Sequence, residues 1–123
     1  MTTGDFSIDV AAINSTLQSI EKVLNVQDMQ AQIAQLEVEA SAPNLWDDQA
    51  NAQRVTSKLS NLQADVARIK SLRTRLDDVV VLHELGLDES DDSITSEATA
   101  ELVSLEQAIG ELEVRTLLSG EYD

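Results

Sequence analysis

The sequence predicts an all-α fold, an elongated bundle of three to four helices with one long central helix. Three observations carry this. Apolar residues recur at alternating steps of three and four along most of the chain, no stretch alternates with the period of a strand, and the one proline falls between two helical stretches. A chain of 123 residues fits one domain and buries about 65% of its unfolded surface on folding, so neither a metal nor a disulfide is required.

The first helix is predicted from about Ser7 to Leu24, with Val10, Ile13, Leu17, Ile20 and Leu24 on one face. Val26, Met29, Ile33, Leu36 and Ala40 repeat that pattern one position out of phase, so a kink or short break is expected at Asn25. Ser41 to Asp48 is a breaker, because Pro43 lacks the N–H a helix needs and disfavours helical backbone at Ala42. Asp47 is expected to cap the next helix by accepting from its free amides. Trp46 is expected to fold back as the buried anchor of the turn.

The third helix is the long one, about Asp48 to Leu85, a span of roughly 55 Å. Its seam is Val55, Leu59, Leu62, Val66, Ile69, Leu76 and Val80. Arg73 and His83 fall on seam positions with Leu72 and Leu82 beside them, so both polar residues are expected at the edge of a drifting apolar face. Gly86 reads as the residue that closes this helix. The acidic loop Asp88 to Ser93 supplies caps for a fourth helix, about Ile94 to Leu118, whose buried stripe is Ala98, Leu102, Leu105, Ile109 and Leu112. Gly110 inside it costs about 1 kcal/mol against alanine, which points either to a close neighbour or to simple tolerance.

Composition narrows the function classes. The absence of cysteine removes disulfide frameworks, thiol catalysis and zinc thiolate sites, and suits a cytoplasmic location. The longest strongly apolar run is Val79 to Leu82, so no membrane span or signal peptide is expected. His83 is the only histidine, and Asp77-Asp78 and Asp91-Asp92 are sequence neighbours that do not face each other on a helix. No glycine-rich phosphate loop or calcium loop is present. Accordingly no catalytic residue, metal, cofactor or small-molecule substrate is expected.

A net charge of -15 argues against nucleic-acid binding by the chain as a whole. The charge is uneven, however. Residues 1 to 46 carry six acids and one lysine, residues 47 to 83 five acids and six bases, and residues 84 to 123 twelve acids and one arginine. Arg54, Arg68 and Arg75, spaced by fourteen and seven, share one stripe of the third helix with Lys58 beside them. Two readings stay open for this stripe: contact with an anionic partner, or pairing with acidic neighbours in the fold.

Two short motifs, Pro43-Asn44-Leu45-Trp46-Asp47-Asp48 and Ser119-Gly120-Glu121-Tyr122-Asp123, resemble joints of the bacterial peptide chain release factor 2 family. The first looks like the turn between the second and third helices of that family's first domain, and the second like the run after its last helix. The resemblance implies that residues 1–118 are a helical amino-terminal docking domain and that 119–123 begin a linker. The decoding and catalytic domains, with their Ser-Pro-Phe and Gly-Gly-Gln motifs, would lie beyond it. It implies a monomeric fragment that is not itself an enzyme, placed near the stalk base of the large ribosomal subunit in a factor acting at UGA or UAA, with the release-factor GTPase as a further partner. Arg54, Lys58, Arg68 and Arg75 are then the candidate ribosome contact. The alternatives are a small secreted helical hairpin with a tryptophan in its turn, or a coiled-coil adaptor.

Overall fold

The computed structural model describes residues 3–122, with side chains for 5–118. They form α1 (Thr3–Leu24), α2 (Val26–Ala40), one 3-10 turn (Leu45–Asp47), α3 (Gln49–Asp88) and α4 (Asp92–Tyr122), and no strand occurs among the described residues. The fold is all-α with one long helix, as the apolar spacing predicts. Contacts divide it into two compact units, one made of α2, the turn and α3 as far as Lys70, the other of α1 to Val23, α3 from Ser71, and α4.

In the first of these units, the predicted break is the single residue Asn25, which adopts φ 54° between α1 and α2. Asparagine tolerates that left-handed conformation, and its Oδ1 accepts the Asp28 N–H at 3.2 Å, so the same residue that breaks one helix caps the next. The hairpin of α2 and α3 closes over Leu36, Leu45, Ala52 and Val55, with Ala40, Leu59 and Leu62 packed against them.

The anchor of the turn is Leu45, not Trp46. Leu45 is 6% exposed and Trp46 60% exposed. A 3-10 turn rotates successive side chains by about 120°, so two neighbours cannot both face the hairpin core, and the backbone register gives the inward position to Leu45. The cap also differs by one residue from expectation. Asp47 is taken up in the 3-10 turn, and it is Asp48 whose Oδ1 accepts the Asn51 N–H at 3.1 Å while its carbonyl accepts the Ala52 N–H at 2.9 Å.

In the other unit, α1 contributes Phe6, Ile13, Leu17 and Ile20 to the interior, α3 contributes Leu72, Leu76, Val79 and His83, and α4 the whole predicted stripe. Each fully buried leucine, isoleucine or valine is worth about 1.5–3 kcal/mol. Phe6 meets His83 and Asn14 meets Arg73, while Glu101 meets Arg75 and Thr95 meets Gly86, so α1 and α4 both run antiparallel to α3.

His83 is inside rather than at the edge. It is 8% exposed and lies flat on Phe6, with ring centroids 3.7 Å apart and planes 5° from parallel. Helix α1 begins before Ser7, which brings Phe6 onto its inner face and gives the imidazole an apolar partner.

Gly86 does not close α3. The helix passes through it to Asp88 and ends on two reverse hydrogen bonds, Asp91 N–H to Gly86 O at 2.9 Å and Ser90 N–H to Leu87 O at 3.2 Å, with Ser90 at φ 51°. Gly86 serves close approach instead, since a Cβ there would lie 2.6 Å from Thr95 Cγ2 and 2.9 Å from the Thr95 backbone nitrogen. Asp91 caps α4, its Oδ1 accepting the Ser93 hydroxyl at 2.7 Å and the Ser93 and Ile94 N–H groups at 2.9 and 3.4 Å. Those bonds, the Ser93 hydroxyl foremost, hold the Asp91 carboxyl below the usual carboxylate range. Helix α4 continues past Leu118 to Tyr122. The side chains of 119–122 and all of Asp123, where the linker is expected to begin, lie outside the described residues.

A methyl group at Gly110 would meet nothing within 4 Å. Gly110→Ala is therefore expected to raise stability by about 0.5–1 kcal/mol through helix propensity, whereas Gly86→Ala lowers it by about 1–3 kcal/mol through overpacking against Thr95. Thermal melts of the two variants check both signs. In the hairpin, Leu45→Ala costs about 2–5 kcal/mol and Trp46→Ala stays within about 0.5 kcal/mol of the parent. Denaturant unfolding measures both, and the native tryptophan emission lies close to that of free indole.

Candidate functional site

The six cations between residues 47 and 83 all lie on α3, which sorts them by which side of the helix each leaves. In the hairpin unit, Arg54 donates to Asn51 Oδ1 at 3.0 Å and stands 4.0 Å from Glu39 Oε1, with its side chain 58% exposed. Lys58 and Lys70 are exposed and form no ion pair among the described residues. Arg68 is taken up by Asp65, three residues earlier on the same helix, at 3.2 Å. Ion pairs this open to water contribute about 0.2–1 kcal/mol each, so Arg54 and Lys58 keep their charge available to a partner.

In the other unit the arginines face inward along the helix contacts. Arg75 sends Nε and Nη2 to Glu101 Oε1 at 3.0 and 2.8 Å, and Nη2 also reaches Ser104 Oγ at 3.3 Å, tying α3 to α4. Arg73 donates to Glu21 Oε1 at 2.8 Å and to Asn14 Oδ1, tying α3 to α1. Of the four predicted contact residues, then, Arg75, Arg68 and Arg54 each have an intramolecular carboxylate, the one beside Arg54 at the longest distance, and Lys58 has none among the described residues. The tie made by Arg73 leaves no local trace in the sequence, because Asn14 and Glu21 lie more than fifty positions away.

The turn offers a second feature. The side chain of Trp46 is presented by a backbone fixed on both sides, with Leu45 N–H on Ala42 O and Asp47 N–H on Asn44 O, each at 3.1 Å. Exposed carboxylates at Asp47 and Asp48 follow it directly.

Nothing among the described residues assembles a reaction centre. No three His, Cys, Asp or Glu side chains converge on a common point. An open groove of about 850 Å³ passes the Phe6–His83 stack and is bordered by Ser90, Asp92, Thr95 and Ser96. No hydrogen bond joins His83 to any of those groups, so no base is aimed at a hydroxyl. No helix among the described residues is long and apolar enough to cross a membrane.

The chain is 50% identical over 119 residues to peptide chain release factor 2 of Mycobacteroides abscessus, covering 97% of this chain and 32% of that protein. It is 54% identical over 121 residues to the protein of that name from Mycobacterium avium, covering 97% of this chain and 33% of the relative. With peptide chain release factor 2 of Salinispora arenicola it shares 50% identity over 123 residues, all of this chain and 33% of the other. It thus spans about a third of the length of the curated relatives it matches. Residues 29–123, from the first buried residue of α2 onward, match the family described as PCRF domain, and the chain belongs to that family.

Proposed function

We propose that the chain is the amino-terminal, ribosome-docking domain of a stop-codon-dependent translation release factor. It would act in the cytoplasm, position a factor that terminates at UGA or UAA near the stalk base of the large subunit, and bear there on the release-factor GTPase. The observation that carries this reading is the 50% identity over 97% of the chain to proteins named peptide chain release factor 2. Docking requires a fixed surface and no chemistry, and capped helices with no converging catalytic groups among the described residues suit that requirement.

Within this reading Arg54 and Lys58 make the first electrostatic contact with the anionic ribosome, and Arg68 and Arg75 hold the fold while adding to the local positive field. The isolated chain is expected to be monomeric and to bind purified large ribosomal subunits at low salt. A double variant, Arg54→Glu with Lys58→Glu, slows that association at low salt, matters less at high salt, and leaves the melting temperature unchanged. By itself the chain releases no peptide from a stop-codon ribosome complex. Failure to associate with large subunits at low salt would contradict the docking role, and peptide release above the buffer rate would contradict the division of labour.

A further inference from the structure

Helices α1 and α4 run in the same direction, both antiparallel to α3, and leave an open groove of about 360 Å³ between them. One stripe of each helix lines it. Asp9, Ala12 and Thr16 come from α1, and Glu106, Gly110 and Glu113 from α4, at steps of three and four in both cases. Ile13 and Ile109, both buried, close the floor, and Ala12 and Gly110 beside them present almost no side chain. Nothing within 4 Å would meet a Cβ on Gly110, so the fold itself gains nothing from glycine at this helical position. What glycine permits there is the close approach of something from outside. Carried onward, the same steps reach Val23 on α1 and Val103 and Leu117 on α4, three large apolar side chains left exposed.

We propose that the α1–α4 groove seats a basic amphipathic helix of a partner protein. Its apolar seam would lie on Ala12 and Gly110 and reach Val103 and Leu117, with lysines or arginines on its flanks meeting Asp9, Glu106 and Glu113. Charge selects this occupant. Asp9 stands on one wall, Glu106 and Glu113 stand on the other, none of the three has an ion pair among the described residues, and no base lines the groove. The Thr16 hydroxyl is held by the Ala12 carbonyl at 3.2 Å, which leaves the carboxylates as the recognition groups. Like charges facing one another repel, and cationic flanks relieve that repulsion. Nucleic acid or an anionic membrane would add to the negative charge, and a second copy of a chain whose net charge is -15 would bring the same acids. The groove belongs to a different compact unit from Arg54 and Lys58, and its occupancy is independent of the docking role proposed above.

The test titrates the whole chain against a labelled synthetic helix of about three heptads, with alanine and leucine on its seam and lysine on both flanks. Two control peptides carry glutamate in place of lysine, or the same residues in scrambled order. The lysine helix is expected to bind, the glutamate helix not to bind, and the scrambled peptide to bind at least about tenfold more weakly. Gly110→Leu fills the groove and weakens binding about tenfold without lowering the melting temperature. Glu113→Lys weakens it about tenfold as well, whereas Glu111→Lys, the same change of charge at an α4 position outside the lining, weakens it by less than about twofold. No binding of the lysine helix, or equal binding by wild type and Gly110→Leu, overturns the proposal. So does equal binding of the scrambled peptide, or an equal loss from Glu111→Lys and Glu113→Lys, since either would show attraction to net charge alone. Gly110-dependent binding to RNA or to phosphatidylglycerol vesicles, or Gly110-dependent self-association, assigns the groove to another occupant and overturns the choice of a basic helix.

Discussion

Both compact units take buried side chains from α3, so the continuity of that one helix of 40 residues is the constraint on which the rest depends. Ala52 and Val55 close the hairpin with α2, and Leu72, Leu76, Val79 and His83 enter the interior shared with α1 and α4. A helix of this kind owes little to propensity and most of its stability to the apolar face it buries. No proline interrupts it, and its one glycine stands near its end, where Thr95 of α4 leaves no room for a Cβ. The departures from regular helix fall on its flanks. Asn25 and Ser90 take the two positive φ values found outside glycine among the described residues, and Asp48 and Asp91 supply the caps.

Periodicity made the interior legible wherever burial was decided by one helix face. The five stripe residues of α4 are all buried, and the phase slip between Leu24 and Val26 locates a break that the backbone makes at Asn25. What periodicity could not resolve are the places where two helices or a turn choose between neighbours. Gly86 has the residue type that ends helices, yet close packing claimed it and left Ser90 to adopt the left-handed conformation. Trp46 is larger than Leu45, but the tight rotation of a 3-10 turn admits one of them and size does not enter that choice. His83 is out of place on an apolar seam only while Phe6 is left out of α1.

The candidate site was legible in part. Spacing gathers Arg54, Lys58, Arg68 and Arg75 on one stripe of α3, but spacing along a helix is blind to what stands across from it. Glu101 and Asp65 draw Arg75 and Arg68 into the fold's own ion pairs, while Arg54, 4.0 Å from Glu39, and Lys58 stay more exposed. The exposed indole of Trp46 was concealed for the opposite reason, since a tryptophan in a turn is ordinarily an anchor.

Amide hydrogen exchange along α3 tests the central claim most directly. If one continuous helix underlies both units, its inward-facing amides, from Val55 through Val66, Ile69 and Leu76 to Val79, are all protected well above the unfolded rate, and protection falls only at the two ends. A run of consecutive amides in its interior exchanging at the unprotected rate would contradict it, since the two units would then be joined by a linker and not by a helix.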